Sequence, residues 1–141
     1  MKKDSSDLLL LDVNVLVALA WENHQFYAAA TGRLEKRGQR WATCALTQLG
    51  FIRLSSNPAS VQPAVSPAEA AALLAVMTQD RWHTYLAESW PPAEEASSFA
   101  RVRGHQQVTD VYLLALARRH GARLLTCDAR LGLLDEVEVL R

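Results

Sequence analysis

The sequence predicts an α/β fold, a mostly parallel sheet with helices packed on both faces. Three observations carry this. Residues 8–11 are four consecutive leucines closed by Asp12, and a strand with no polar alternation is buried on both faces, as parallel strands are. Residues 123–126 form a second such run, ending on Cys127 and Asp128. Between them, helical signals alternate with short strand candidates, the pattern of βα units.

Taken in order, residues 14–21 read as a short helix after the first strand, with Val15, Leu16 and Leu19 on one face and Asn14 able to start it. Glu22-Asn23-His24 breaks it, and a second helix is expected over 25–37, stopped by Gly38 with basic residues in its last turn. Residues 40–43 are a short strand candidate, and Thr43 to Thr47 offer caps for a third helix through Leu54. Pro58 ends that region, because proline disfavours helix in the residue before it. Ser66-Pro67-Ala68-Glu69 is a strong start signal, an N-cap serine, proline at the first helical position and a glutamate closing a capping box; this helix should reach Gln79. A weak strand is expected at 83–86, a rigid turn at Trp90-Pro91-Pro92 and a short helix at 93–102. Thr109-Asp110 opens a helix through His120, with Gly121 as its stop. The strand at 123–126 and a last short strand at 137–140 complete the chain.

A chain of 141 residues is most simply one domain with a single sizeable core, and residues 1–6 read as a flexible terminus. Fifteen basic residues balance fifteen acidic ones, so no global field attracts nucleic acid or membrane, and such affinity would need a local patch. Cys44 and Cys127 match no zinc or redox spacing and read as reduced, buried thiols. No signal peptide or span is legible, so the expected location is the cytoplasm, with no membrane partner.

Three acids have unusual addresses. Asp12 and Asp128 end the two buried strands, and parallel strands deliver their carboxyl ends to one side. Asp110 stands in the first turn of a helix whose next seven residues, 111–117, are all apolar or aromatic, so its start should lie at the sheet edge. That helix precedes the second strand and runs against it, so it begins on the same side. Clustered carboxylates repel, and a divalent cation resolves the conflict. Oxygen donors select hard ions, Mg2+ or Mn2+, which dock phosphate oxygens and lower the pKa of a water. Singly, each acid also reads as a helix or turn cap.

At these residues the chain resembles the PIN-domain nucleases, in particular the VapC-like toxins of bacterial toxin–antitoxin pairs. The matching segments are Leu10-Leu11-Asp12-Val13-Asn14-Val15-Leu16, Trp41-Ala42-Thr43-Cys44 leading into Thr47-Gln48-Leu49-Gly50-Phe51-Ile52-Arg53, the run from Val108-Thr109-Asp110 to Ala117, and Leu124-Leu125-Thr126-Cys127-Asp128. Their order and spacing cover nearly the whole chain. The resemblance implies a three-layer α/β/α sandwich with a central, mostly parallel sheet as one PIN-like domain over 1–141, and Mg2+-dependent endoribonuclease activity, with Mn2+ as a substitute. It further implies an RNA substrate, a cognate small antitoxin and a homodimer. Carried over by position, Asp12 and Asp110 are the principal metal ligands and catalytic acids, Asp128 is the third, often held through water, and Thr126 orients the cluster. Gln48 stands where many members place a glutamate, which removes a negative charge and leaves a carboxamide to hold water beside the metal. Asn14 matches the polar residue after the first acid.

RNA also needs cations at the rim of an acidic crevice. Arg53, Arg101 and Arg103 are candidates, with Arg53 placed along the Gln48 helix, and His24 and His105 are loop histidines that can touch phosphate. The tryptophans 21, 41, 82 and 90 read as packing residues that can also stack on bases. Two other readings stay open. One is a PIN scaffold with impaired catalysis that only binds RNA or protein, which Gln48 favours. The other is a haloacid-dehalogenase-like phosphatase, which the opening strand suggests; that chemistry wants an acid at position 14 and a later lysine, and no lysine follows Lys36.

Overall fold

In a computed structural model the described residues are 8–36, 38–87, 90–102 and 104–141. Five parallel strands, β1 (Leu8–Leu11), β2 (Arg40–Thr43), β3 (His83–Tyr85), β4 (Arg123–Thr126) and β5 (Val137–Val139), lie in the order β3-β2-β1-β4-β5. The five α-helices are α1 (Val13–Ala20), α2 (Tyr27–Leu34), α3 (Ala45–Ser55), α4 (Pro67–Met77) and α5 (Val108–Arg119).

β1 is central, and its four leucines are 0–4% exposed because each face of the strand meets a different layer. Leu8 and Leu10 pack with Leu113, Leu116 and Ala117 of α5, while Leu9 and Leu11 pack with Leu16 of α1, Phe51 of α3 and Leu74 of α4. A central strand in a three-layer sandwich has no solvent face, so an unbroken apolar run replaces alternation. The chain winds outward from β1 to β2 and β3 on one side and to β4 and β5 on the other. The order therefore reverses at the β1–β4 boundary, and the carboxyl ends of those two strands border the crevice where α/β sheets place their ligands.

The start signals are realised locally. Ser66 accepts from the Glu69 amide at 3.1 Å and Glu69 accepts from the Ser66 amide at 2.9 Å, with Pro67 leading α4. Cys44 caps α3, and the Thr47 hydroxyl accepts from its amide at 3.0 Å. The expected strands at 83–86 and 137–140 form to within a residue, since the Leu86 amide still bonds Thr43 and the Leu140 amide bonds Thr126, both at 2.8 Å.

Four expectations need correction. Asp12, not Asn14, caps α1, its carboxylate accepting from the Val13 amide at 2.7 Å while Asn14 stands exposed in the first turn. The second helix is shorter than 25–37: it ends at Leu34, where the Arg33 guanidinium is drawn toward Glu138 and Gln39. Gly38, with φ +74°, sits in the turn beyond it. The helix expected at 93–102 is a 3-10 segment, Pro92–Arg101, broken at Glu95. Two prolines open it, and side-chain bonds fix its place: the Tyr112 hydroxyl donates to the Trp90 carbonyl and Arg119 reaches Glu95. The helix of Asp110 begins at Val108, one residue early, because a 3-10 turn at His105–Gln107 runs directly into it. The terminal residues 1–6 and Arg103 lie outside the described residues, as does the side chain of Arg101.

Candidate active site

The site is assembled at the carboxyl edge of β1 and β4. Leu11 pairs with Leu125, so Asp12 stands level with Thr126, the last residue of β4. The Asp12 amide donates to the Leu125 carbonyl at 2.9 Å, and the Thr126 hydroxyl donates to Asp12 Oδ2 at 2.7 Å. With Oδ1 on the Val13 amide, both carboxylate oxygens are engaged and the side chain has one orientation. Asp12 is 7% exposed, and burial pushes its carboxyl up, against the two hydrogen bonds that pull it down.

Asp110 arrives from the other layer, in the first turn of α5. Val111 follows it half-buried, and Tyr112, Leu113 and Leu114 are buried, so the helix cannot rotate its acid away from the sheet. Its carboxyl is pushed up to about 6, first by burial and then by the charges of Asp12 and Asp128, with Arg130 opposing. A carboxylate disfavoured by two neighbouring carboxylates is a site short of positive charge.

Asp128 completes the group electrostatically but not as a cage. Among the described residues no three His, Cys, Asp or Glu side chains are assembled to hold one ion together. The reason is local: Arg130, two residues on, takes Asp128 in a fork, Nε to Oδ1 at 3.0 Å and Nη2 to Oδ2 at 2.7 Å. That bond holds the Asp128 carboxyl below its ordinary range. The donor set still fits a hard divalent cation, because Mg2+ is commonly held by one or two carboxylates and completes its shell with water and phosphate. The fit rests on Asp12 and Asp110, both pushed up by burial and by a neighbouring carboxylate's charge, with Arg130 opposing this at Asp110.

Gln48 sits on the first turns of α3, and its Nε2 donates to the Thr43 hydroxyl at 2.9 Å. Thr43 ends β2, the strand beside β1, so Gln48 is tied to the same sheet edge as Asp12. The Thr43 hydroxyl also meets His83 Nε2 at 2.8 Å. One direction of donation satisfies all three groups, with the amide donating to Thr43 and Thr43 to a neutral imidazole, which leaves the Gln48 carbonyl oxygen as the outward acceptor. Burial lowers the pKa of His83, which favours that neutral form.

The remaining candidates separate. His105 is exposed and opens the turn that leads into α5, five residues before Asp110. His24 lies past the far end of α1, where Trp21 bonds Ser55 at the far end of α3, and its Nδ1 accepts from the Phe26 amide at 3.0 Å. α1 carries it away from Asp12 rather than toward the crevice. Arg53 is exposed but lies roughly 140° around α3 from Gln48, so the two do not share a face. Trp41 and Trp90 are core residues; Trp82 remains partly exposed. Cys44 is a buried thiol outside any disulfide and Cys127 a half-buried one, its thiol pushed up to about 11 by burial and by Asp12.

Two residues that matter here were not singled out from sequence. Thr43 had a signal, because β2 and β4 both end on Thr-Cys and Thr126 was already a candidate. Arg130 had a weaker one, an Asp-x-Arg spacing at a strand end, legible only once the turn at Ala129–Leu131 is known.

A buried parallel sheet with acids at its switch point defines the class of fold, and comparison with known proteins gives the family. The PIN domain model matches residues 9–137. Ribonuclease VapC39 of Mycobacterium tuberculosis is 44% identical over 125 residues, 87% of this chain and 90% of that protein. Ribonuclease VapC38 of the same organism is 40% identical over 123 residues, 86% of each chain. Among solved structures, M. tuberculosis VapC20, described as a sarcin-ricin loop cleaving toxin, superposes with a TM-score of 0.70 at 14% identity, covering 94% of this chain and 99% of that one. VapBC2 of Rickettsia felis, solved on a DNA fragment of its promoter, gives 0.61 at 12% identity, covering 95% and 99%. The chain belongs to the PIN-domain family. With that membership the phosphatase alternative falls. No helix among the described residues is long and apolar enough to cross a membrane.

Proposed function

We propose that this chain is a metal-dependent endoribonuclease, the toxin of a toxin–antitoxin pair. The observation that carries the reading is the meeting of Asp12 and Asp110 at the β1–β4 switch point, with Asp110 driven up to about 6 by burial and by the charges of Asp12 and Asp128. The names of relatives that match over most of the chain support it.

A divalent cation bound there, Mg2+ with Mn2+ as substitute, supplies Lewis-acid polarisation of a phosphodiester and lowers the pKa of a water. Asp12 and Asp110 would hold it, with Asp128 as the third acid beside them. Thr126 fixes Asp12 by its 2.7 Å bond, so the carboxylate does not reorganise when the cation binds. Gln48, anchored through Thr43, offers its carbonyl oxygen to a water on the β2 side, and Asn14, exposed beside Asp12, offers a further polar group. His105, exposed at the entrance of α5, is the first candidate for an RNA contact; Arg53 and His24 are the weaker candidates, for the positions given above. The partners are RNA, a cognate antitoxin and a second copy of the chain.

The test is cleavage of a structured RNA by the purified protein with Mg2+, with Mn2+ and with EDTA. Cleavage is expected only with metal, and to fall at least about 100-fold in Asp12→Ala and Asp110→Ala protein. Undiminished cleavage in both variants would show the site to be elsewhere. Wild-type protein that binds the RNA and never cuts it would favour the impaired-scaffold reading instead.

A further inference from the structure

Arg130 occupies a boundary. On one side it grips Asp128 with Nε and Nη2, at 3.0 and 2.7 Å, while its own backbone amide donates to Asp128 Oδ1 at 2.9 Å. On the other it lines a groove of about 540 Å³ between α5 and the 3-10 segments. Val111, Leu114 and Leu131 contribute apolar surface there, and Ser97, Ser98 and Gln107 contribute hydroxyl and amide groups. A single guanidinium therefore joins the acid group to an adjoining groove of mixed apolar and hydrogen-bonding character.

The Asp128–Arg130 pair does little for the fold. Its partners are two residues apart, the Arg130 side chain is 59% exposed, and Leu131, not Arg130, anchors the turn in the core. An exposed local ion pair contributes little stability. Its charge matters more, since its field at Asp110 opposes those of Asp12 and Asp128.

We propose that Arg130 is an exchangeable counter-ion of the acid group, paired with Asp128 before loading and moved to an RNA phosphate once a divalent cation takes its place. This rests on the nuclease reading above. A divalent cation held by Asp12 and Asp110 screens the acid charge that keeps the guanidinium beside Asp128 and repels it, so loading loosens the Asp128–Arg130 pair. A released guanidinium is a planar fork suited to phosphate, and it stands where a strand passing from the acids into the groove must carry a phosphate. The groove then takes the flanking nucleotide, its base on the Val111 and Leu114 surface and its polar edges toward Ser97, Ser98 and Gln107. No bond is made or broken by Arg130. It positions.

The test compares wild type, Arg130→Ala and Arg130→Lys in two binding measurements besides cleavage. Mn2+ binding without RNA, followed by electron paramagnetic resonance, is expected to tighten several-fold in Arg130→Ala, because a competing charge is gone and Asp128 is free. Binding of single-stranded RNA in Ca2+ is expected to weaken, with the slope of log affinity against log salt reduced by about 0.7, one phosphate contact. Arg130→Lys should keep the salt slope while losing part of the affinity, as a point charge replaces a fork. If Arg130→Ala changes neither Mn2+ affinity nor salt slope while wild type cuts RNA, the inference fails alone. Opposite movement of only one of the two quantities overturns the exchange. If wild type neither binds nor cuts RNA, the nuclease reading fails, and this inference with it.

Discussion

The Thr126 hydroxyl donates to Asp12 Oδ2 at 2.7 Å across 114 residues of sequence, and accepts from the Asp128 amide at 3.1 Å. One hydroxyl thus sets the orientation of one acid and the turn that presents another. Thr126 is fully buried at the end of β4, so water cannot replace it.

Replacing it with valine keeps the shape and removes the donor. Thr126→Val is expected to cost about 1.5–3 kcal/mol in chemical denaturation, the range for hydrogen bonds to a charged group. Because the lost bond favoured the ionised carboxylate, Asp12 should also take up a proton more readily. Mn2+ affinity should therefore fall more at pH 5.5 than at pH 8. An equal loss at both values would show that Thr126 acts only through packing.

The metal-free protein should have a stability curve shaped by groups of opposite sign. Asp110 titrates at about 6 in the fold against 3.8 unfolded, so between those values the folded state holds the extra proton, and stability falls as pH rises from about 4 to 6. Glu138 and Asp128 have lowered values, so what they contribute is complete above their unfolded range and lost as pH falls through the folded one. The melting-temperature advantage of wild type over Asp110→Asn should therefore shrink from pH 4 to pH 6.5 without metal, since Asp12, His24 and His83 shift both curves alike. Adding Mg2+ should raise the melting temperature most above pH 6, where Asp110 is ionised. A difference between the two curves that stays constant or widens over that interval would contradict the assignment of Asp110.

Gly50 is required by a helix contact. A Cβ there would lie 2.6 Å from Cγ2 and 2.9 Å from Cγ1 of Val13, at the start of α1. Val13 is β-branched and next to Asp12, so it has little room to turn. Gly50→Ala is expected to cost about 1–3 kcal/mol, the usual range for overpacking, despite the better helix propensity of alanine. The double variant with Val13→Ala should recover most of it, measured by denaturant melts.

Glu138 on the edge strand β5 receives Arg33 from α2, with Nη2 at 3.0 Å, and Arg123 from β4 at 3.1 Å. Arg33 and Glu138 side chains are 19% and 23% exposed, between surface and buried pairs. Glu138→Gln should cost about 1–2 kcal/mol at pH 7 and progressively less as pH falls through the lowered titration range of the wild-type carboxylate. A cost independent of pH would mean the side chain acts through its shape alone.

Much of the fold was legible because its signals are short-range or one-dimensional. The leucine run of β1, the Ser66–Glu69 capping box and the apolar run after Asp110 each act within a few residues, and each formed where expected. The 3-10 segment at Pro92–Arg101 was not legible, because its path depends on Trp90, Tyr112 and Arg119, which meet only in the folded core.

The sequence by itself determined which acids end buried strands and which opens a buried helix, and the parallel winding that sends all three to one edge. Only the tertiary structure decided how they share that edge. Asp12 became a helix cap as well as a candidate metal ligand, Gln48 was tied to Thr43, and Asp128 turned to Arg130 rather than into a ready cage among the described residues. The physical reason is that strand ends are placed by hydrophobic burial, which is written along the chain. The orientation of a carboxylate is set by the few donors within about 3 Å of it, and those are assembled by folding.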